Sequence, residues 1–300
     1  MKLDVIGFGA LNLDRLHRVD FIAKEDEESS ILDLTESPGG SAANTIVGLA
    51  RLGLKTGFVG KVAEDRAGEL LLEDFTNENV DLSGIAISKT GRSGTVMGYV
   101  DKKGDRALYV DPGANDLLEF REIDLEYASN TRFLHLTSFA GRKPFQAQTE
   151  LAKAVSDIKI SLDPGTLYAR KGLESLKPIV ERCSVMFPSE HEVKLLTGKD
   201  YEKGSKILTR KGVDIVAVKL GERGCYVTDG QESYVVESYK VEVVDTTGAG
   251  DAFCAGFLYG LIENKELYEC GKLGNFVASR CIMKSGARRG LPRLSDLRNI

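Results

Sequence analysis

The sequence predicts an α/β fold, in which a doubly wound, mostly parallel sheet is flanked by helices and carries a small β-sheet lid. Short apolar runs with the character of strands alternate with amphipathic runs of helical length over most of the 300 residues. Such alternation is typical of parallel strands joined by right-handed crossover helices. Two segments, 13–37 and 93–110, break the alternation and have the pattern of antiparallel β ribbons.

The individual elements follow in chain order. A first strand is predicted at 3–7, and the helix at 41–52 ends before Gly53, because glycine readily adopts the left-handed conformation found after a helix. The other strands are predicted at 56–59, 133–136, 159–162, 185–187 and 214–218, and the other helices at 66–78, 145–156, 190–196 and 203–211.

The two ribbons are predicted to form one lid. Val96, Gly98 and Val100 alternate along the second ribbon, as in a strand with two different faces. The alternative is that both ribbons are an ordinary edge of the main sheet. Because no internal repeat or low-complexity linker divides the chain, residues 1–300 are predicted to be a single domain with the lid inserted into it.

Composition argues against several classes of function. A net charge of −5 disfavours general nucleic-acid binding, and the pair Arg288-Arg289 is more typical of a solvated surface than of an anion contact. The five cysteines are odd in number and lack metal-finger spacing, which predicts a cytoplasmic protein in which Cys225 and Cys254 are core residues. No apolar run reaches the ~18 residues of a membrane helix, so neither membrane contact nor a signal peptide is predicted.

The segment 245–251, Asp-Thr-Thr-Gly-Ala-Gly-Asp, is the most informative in the chain. It joins a valine-rich run of strand character at 241–244 to a helix-like run. Gly248 and Gly250 let the backbone approach an anion, which the free N–H groups and the positive dipole end of the helix would bind. Asp251 can then accept a proton from an attacking hydroxyl, which indicates a phosphotransferase base. The alternative is a glycine-rich turn with an acidic first-turn residue.

Two other phosphate-binding motifs do not fit. Gly7 and Gly9 follow the first strand as in dinucleotide-binding proteins, but Asn12 stands where that motif needs a third glycine, and no helical pattern follows. The sequence also has no Gly-x-x-x-x-Gly-Lys-Ser/Thr motif. The chain is therefore predicted to be neither a dehydrogenase nor a P-loop enzyme.

Five ordered motifs resemble those of the ribokinase-like (PfkB) carbohydrate kinases, and together they span nearly the whole chain. The segment 245–251 is similar to the family's C-terminal signature, and Pro-Gly-Gly-Ser-Ala-Ala-Asn at 38–44 to its N-terminal one, except that Ile46 replaces a small residue. The other matching motifs, in the family's order, lie at 111–115, 188–192 and 219–224. The resemblance implies the family's fold and a lid over the sugar site.

The resemblance also implies where the sugar binds. The family's Gly-x-x-Asn-x-Asp pattern is matched after the first strand, so that the amide of Asn12 and the carboxylate of Asp14 would bind sugar hydroxyls. Gly39, Gly40 and Asn44 would complete the pocket at a helix start. The alternative is that these residues only form a turn and begin the helix.

Magnesium is implied by Glu192, which is similar to the glutamate of the family's Asn-x-x-Glu motif and would organise Mg²⁺ and phosphate through water. Ser189 replaces the asparagine of that motif. The alternative is that Glu192 is a first-turn acid that complements a helix dipole. Mg²⁺ is expected to arrive with ATP and keep most of its waters.

The nucleotide is expected between the motif at 219–224 and the final helix. The positions that the resemblance assigns to it are Lys219, Gly221, Gly224 and Asn275. Lys219 either contacts phosphate or points to solvent at a strand end.

Many relatives bind a monovalent cation, K⁺, beside the anion hole. The matching positions here are Asp245, Thr247, Gly286 and Gly290, the last of which replaces a serine often present.

These features predict an ATP-dependent carbohydrate kinase that phosphorylates a primary hydroxyl of a sugar. Asp251 would be the general base, and the backbone of Gly248, Ala249 and Gly250 would stabilise charge on the transferring group. Mg²⁺ would accompany ATP, and the resemblance implies a homodimer formed through the lid.

Alternative functions remain open within and outside this class. A nucleoside kinase needs an aromatic platform, and a 2-keto-3-deoxy sugar acid kinase needs an arginine for the carboxylate. The candidates are Phe139, Tyr99 and Tyr168 for the platform, and Arg106 and Arg170 for the carboxylate. Outside the class, the chain could be a nucleotide-gated binding protein without turnover.

Overall fold

A computed structural model describes residues 2–299, and their strands form two sheets. The order across the larger sheet is β13 (Ser233–Val236), β12 (Cys225–Thr228), β11 (Ile215–Lys219), β10 (Cys183–Met186), β9 (Lys159–Asp163), β8 (Thr131–Thr137), β1 (Leu3–Phe8), β4 (Thr56–Ala63) and β5 (Asp81–Ser88). Neighbouring strands from β11 across to β5 in this order all pair in parallel, whereas β12 pairs antiparallel with both β11 and β13. The predicted mostly parallel sheet is confirmed.

Helices cover both faces of this sheet. They are α1 (Ser41–Arg51), α2 (Arg66–Asn77), α3 (Leu125–Ser129), α4 (Arg142–Ala154), α5 (Gly165–Ala169), α6 (Gly172–Val180), α7 (Glu190–Thr197), α8 (Tyr201–Arg210), α9 (Ala249–Ile262) and α10 (Leu267–Cys281). Successive residues of a strand point to opposite faces, so Val5 of β1 packs in the hydrophobic cluster with α1 and α9, and Ile6 in the cluster with α4 and α6. No described helix is long and apolar enough to cross a bilayer.

The small sheet contains four strands within the described residues, in the order β3 (Ile31–Gly39), β2 (Asn12–Val19), β6 (Gly94–Val100) and β7 (Arg106–Asp111). Strands β2 and β3 form one antiparallel ribbon, β6 and β7 form the other, and β2 pairs with β6 in parallel. The two predicted ribbons therefore share a sheet of their own and are not an edge of the larger one.

The valine-rich run before the glycine turn is not a strand, contrary to the prediction. Val243 and Val244 are 56% and 60% exposed, and the Val244 N–H donates to the carbonyl of Ile282 at 2.8 Å. The segment lies against the end of α10, with no strand alongside it. Strand propensity leads to a strand only where a partner strand is available.

Candidate active site

A cavity of about 490 Å³ lies between the two sheets, a size typical of small-molecule sites. Ala10, just beyond β1, and Thr137, the last residue of β8, line it from the larger sheet, and Val96 and Val110 line it from the small sheet. The cavity therefore lies at the carboxyl ends of parallel strands, where open α/β sheets bind their ligands.

The glycine turn forms one wall of this cavity. The residues 246–251 all line it, and α9 begins there with Gly248 as its N-cap. Gly248 has φ +78°, and a Cβ at this position would lie 2.5 Å from the Cβ of Ala287, so no other residue fits without strain. The N-terminus of a 14-residue helix thus points its N–H groups and positive dipole end into the cavity.

Asp251 lies in the first turn of α9 and is held in place by α1. The side-chain amide of Asn44 donates to Asp251 Oδ2 at 2.8 Å, and the Thr45 hydroxyl donates to the Asp251 carbonyl at 3.1 Å. Burial raises the pKa of Asp251 to about 7, although the Asn44 hydrogen bond opposes the shift. A carboxylate that titrates near neutrality is suited to accept a proton at physiological pH.

Asn44 therefore binds the predicted base, although the sequence assigned it to the sugar. Its side-chain oxygen accepts from Arg288 Nε at 2.8 Å. Arg288 is only 8% exposed and pairs with Asp74, so the prediction that it lies on a solvated surface is wrong. A guanidinium can be buried at this depth because Asp74 neutralises its charge.

Asp14 and Asn12 both line the cavity from β2. Burial raises the pKa of Asp14 to about 6, with the charge of Arg288 opposing the shift. Gly39 lies beneath this carboxylate, since a Cβ on Gly39 would come within 2.2 Å of Asp14 Oδ2. Gly40 lines the cavity with φ +106°, and a Cβ there would come within 2.1 Å of the Ala10 carbonyl oxygen.

Asn115, from the motif at 111–115, positions the start of β2. Its amide oxygen accepts from the Leu11 N–H at 2.9 Å, and its NH₂ group donates to the Leu11 carbonyl at 2.9 Å and to Asn12 Oδ1 at 3.0 Å. The neighbouring Asp116 also lines the cavity, and its Oδ1 is buried without a hydrogen-bond partner in the described chain.

Lys219 does not point to solvent but forms an ion pair inside the protein. Its ammonium group pairs with Asp163 Oδ2 at 2.5 Å, and both side chains are buried. Burial alone would lower the pKa of Lys219, but the Asp163 carboxylate outweighs it and the pKa is raised. The ion pair lies directly behind the glycine turn, because a Cβ on Gly250 would be 3.4 Å from Lys219 Nζ.

Glu192 takes part in a capping box at the start of α7. The Ser189 N–H donates to Glu192 Oε2 at 2.8 Å, and the Glu192 N–H donates to the Ser189 hydroxyl at 3.3 Å. In the described residues, no group of three or more His, Cys, Asp or Glu side chains could hold a metal ion. A magnesium ion held by Glu192 would therefore need further ligands from water or phosphate.

The other predicted nucleotide residues lie outside the cavity. Gly221 has φ +63° and open space around its Cα, which would admit a ligand. Gly224 packs against the backbone, where a Cβ would lie 2.0 Å from the Val236 carbonyl oxygen. Asn275 donates to the carbonyls of Val236 and Glu237 at 2.9 and 3.0 Å, so its amide fixes the chain after β13.

Asp245 joins the two loops predicted to bind a monovalent cation. It accepts from the Thr247 N–H at 2.9 Å and from the Gly286 N–H at 2.8 Å. Burial acts to raise the pKa of Asp245, but these two hydrogen bonds outweigh it, and the pKa lies below its usual value. Gly290 packs close to the Cys281 carbonyl oxygen, which a Cβ would approach to 2.4 Å.

Several residues at the site could not be assigned from the sequence. Asn115 lies in the motif at 111–115, whose resemblance favours a ribose-like sugar but predicts no contact for this side chain, and Asp116 lies just outside that motif. Arg288 and Asp163 each interact with residues distant in the sequence. All five cysteines are buried free thiols, and Cys254 also lies 3.6 Å from Asp163 Oδ2.

A doubly wound sheet with a small second sheet and an anion-binding turn at the cavity between them is the architecture of the ribokinase-like kinases. The chain belongs to the pfkB family of carbohydrate kinases, whose model matches residues 2–294. The predicted fold class and the predicted activity, ATP-dependent phosphorylation of a carbohydrate, are both confirmed at this level.

Similar proteins cover nearly the full length. An uncharacterised sugar kinase of Archaeoglobus fulgidus is 44% identical over 251 residues, which are 83% of this chain and 100% of that protein. The ATP-dependent ribose-1-phosphate kinase of Halopiger xanaduensis is 33% identical over 95% of this chain and 93% of its own. Arabidopsis thaliana ribokinase, solved with ribose and ATP, superposes with a TM-score of 0.88 at 26% identity over 98% of this chain and 97% of its own.

Proposed function

We propose that this kinase phosphorylates a primary hydroxyl of a neutral sugar, with Asp251 as the general base. The observation that carries the proposal is the position of Asp251 beside the N-terminus of α9, in the wall of the cavity. Asp251 takes the proton of the sugar hydroxyl, whose oxygen then attacks the terminal phosphorus of ATP, and the bond from that phosphorus to the bridging oxygen breaks to release ADP. The N–H groups of Gly248, Ala249 and Gly250 stabilise charge on the transferring group.

The site also fits magnesium with ATP. The hydrogen bond from Ser189 uses Glu192 Oε2, so Oε1 is left to hold a water of the metal. Bound Mg²⁺ neutralises charge on the phosphates. A monovalent cation, K⁺, is part of the same proposal, since Asp245 holds Thr247 and Gly286 together.

The charge of the cavity supports a neutral sugar as substrate. Among the described residues that line it, none is Lys or Arg, while Asp14, Asp116 and Asp251 are acidic. Carboxylates accept hydrogen bonds from sugar hydroxyls but repel a carboxylate or phosphate group carried by the sugar itself. Arg106 and Arg170, the candidates for binding a sugar acid, do not line the cavity.

A nucleoside has less support than a sugar. Tyr168 is fully buried and donates to Gln148 Oε1 at 2.8 Å, and Tyr99 stacks on His17 in the small sheet. Phe139 does line the cavity, but it is 1% exposed and packs edge-to-face on Phe8, so little of its ring is available to a base.

A sugar 1-phosphate is the second candidate. It is supported by the 33% identity with the Halopiger ribose-1-phosphate kinase. A phosphorylated substrate would need a cation at the cavity, and no Lys or Arg lines it among the described residues.

The test is ADP release by the purified protein with magnesium ATP across free pentoses and hexoses, ribose 1-phosphate, sugar acids and nucleosides. Turnover of a free sugar is expected, and the Asp251→Asn protein is the control for contaminating kinases. Preference for ribose 1-phosphate would establish the second candidate. No turnover with any compound would favour a nucleotide-gated binding protein.

We also propose that the protein is a cytoplasmic homodimer formed through the small sheet, which acts as a lid. Buried free cysteines support the reducing compartment. The lid carries exposed Leu16, Leu108 and Val110, whose apolar surface would be covered by a second subunit.

A further inference from the structure

We propose that Arg288 is a positioning residue for phosphoryl transfer, which acts on the base Asp251 through the side chain of Asn44. This inference rests on the proposed role of Asp251. Arg288 Nε donates to Asn44 Oδ1 at 2.8 Å, and Asn44 Nδ2 donates to Asp251 Oδ2 at 2.8 Å. The three side chains thus form one chain of hydrogen bonds that ends at the cavity.

The direction of these hydrogen bonds follows from chemistry. A guanidinium has N–H donors and no acceptor, so the Asn44 group that faces Arg288 must be its oxygen. The Asn44 NH₂ group must then face Asp251, where it can only donate. If residue 288 were apolar, or a flexible lysine, nothing would fix the orientation of the Asn44 amide. The amide could then rotate by half a turn and present its oxygen to the Asp251 carboxylate.

A fixed amide decides which oxygen of Asp251 reacts. The Asn44 hydrogen bond occupies Oδ2 and leaves Oδ1 to accept the proton of the substrate hydroxyl. It also stabilises the ionised form of Asp251, which is the form that works as a base. Orientation of a catalytic group is sensitive, since a displacement of about 1 Å can lower a rate by about 10²-fold.

Arg288 is itself held rigidly. Its Nη1 pairs with Asp74 of α2, its guanidinium lies 5.8 Å from the centre of the Phe75 ring, and its carbonyl accepts from Arg51. Its Nη2 is buried without a hydrogen-bond partner in the described chain, and its charge also acts on Asp14. The buried charge of Arg288 therefore acts on two carboxylates that line the cavity, those of Asp14 and Asp251.

The first test is Arg288→Lys. A lysine keeps the charge opposite Asp74, but its single ammonium cannot reproduce the fixed fork that bonds Asp74 and Asn44 together. We expect kcat to fall by about 10-fold or more, with KM for ATP nearly unchanged. The matched control is Arg182→Lys, the same change in a guanidinium that donates to the carbonyls of Val155 and Ser156 and contacts neither Asn44 nor Arg288, for which near-normal kcat is expected.

A double-mutant cycle tests the route through Asn44. If Arg288 acts through that amide, Arg288→Lys should change kcat by less than about twofold when Asn44→Ala is already present, because neighbours in one network are not additive. Full additivity of the two changes would overturn the inference. If the unaltered protein phosphorylates none of the sugars, it is the proposed function that is contradicted.

The pH dependence of kcat/KM distinguishes a positioning role of Arg288 from a purely structural one. The groups that act on Asp251 are Asn44 from α1, Asp163 from β9, Lys219 from β11, and Arg288. In Arg288→Met combined with Asp74→Asn, the carboxylate that pairs with Arg288 is removed together with it, and we expect the pH of half-maximal kcat/KM to rise. If Arg288→Lys does not fold, the double variant Arg288→Met, Asp74→Asn tests the role of Arg288 in its place. Unchanged kcat and an unchanged profile would show that Arg288 only stabilises the fold.

Discussion

At the scale of single residues, the role of Asp251 is the most direct prediction. Asp251→Asn keeps the shape of the side chain but cannot take a proton, so turnover should fall by about 10²–10⁴-fold. Binding of ATP and sugar, measured by calorimetry, should stay nearly intact, because the N–H groups of the turn are unchanged. Near-normal turnover by a carefully purified Asp251→Asn protein would contradict the mechanism.

The raised pKa of Asp251 predicts opposite effects of pH on rate and on stability. Its pKa is about 7 in the folded protein and 3.8 when unperturbed. Activity should therefore decline as the pH falls below about 7, because the base becomes protonated. The folded state holds this proton more tightly than the unfolded chain, so its contribution to stability is complete below pH 3.8 and is lost as the pH rises through about 7.

The same linkage can be measured with Asp251→Asn, which has no proton to lose. Relative to the original protein, the variant should gain free energy of unfolding as the pH is raised from about 5 to about 8. Urea titrations at several pH values check this difference. A constant difference over that range would mean that Asp251 does not titrate there, and the expected pH dependence of activity would need another group.

Sequence patterns located the polar ends of the cavity but not the ionic contacts beneath it. Asn12, Asp14 and Asp251 follow strands or begin a helix, and such positions can be read from local patterns. Arg288 and Lys219 are charged side chains whose partners, Asp74 and Asp163, lie far away in the sequence. A charged residue looks solvated in a sequence unless its partner is known, which is why the assignment of Arg288 to a solvated surface was wrong and the ion pair of Lys219 was not foreseen.

At the scale of elements, the ion pair between β11 and β9 is predicted to hold the strand ends together behind the glycine turn. Lys219→Met would leave Asp163 buried and unpaired, which should lower the free energy of unfolding by about 3–5 kcal/mol. Urea denaturation measures this loss. Combining Lys219→Met with Asp163→Asn removes the unpaired charge, so the double variant should recover part of the stability.

The kcat of the double variant shows whether the ion pair between Lys219 and Asp163 contributes to catalysis or only to stability. Lys219 Nζ lies close to Gly250, so the double variant should still show reduced kcat even where its stability has recovered. If the double variant regains normal kcat, the pair serves stability alone. If Lys219→Met is as stable as the original protein, the ion pair does not stabilise the fold.

Element boundaries were predicted best where one face of the element is apolar. The helices and parallel strands that were given bounds lie within a few residues of those in the structure, whereas α3, α5, α6, β12 and β13 were not predicted. Strand β4 extends beyond its predicted end. The prediction stopped too early because Lys61 interrupts the apolar pattern, but the Lys61 side chain is buried and pairs with Glu122 at 2.6 Å. The edge strand β5 was not predicted, since its half-exposed sequence has little hydrophobic periodicity.

At the scale of the whole molecule, the cavity depends on both sheets. Cross-strand partners point to the same face of a sheet, and Asp14 pairs with Val96, which pairs with Val110. All three line the cavity. The face continues outward through Gly98 to its partners Leu16 and Leu108. The wall of the cavity and an exposed apolar stripe are therefore parts of one surface.

This continuity predicts that dimerisation and sugar binding are coupled. Leu108 is 54% exposed on this face, and Leu108→Asp should prevent a second subunit from packing against it. We expect sedimentation to show a dimer for the original protein and a monomer for the variant. The variant should also have a raised KM for the sugar, because the stripe adjoins the residues that line the cavity, while its KM for ATP should change little.

Val235→Asp is the matched control, since Val235 is 57% exposed but lies on β13 at the far edge of the larger sheet. A dimer that survives Leu108→Asp, or an original protein that is monomeric, would place the exposed stripe outside any subunit contact and leave the small sheet as a lid alone.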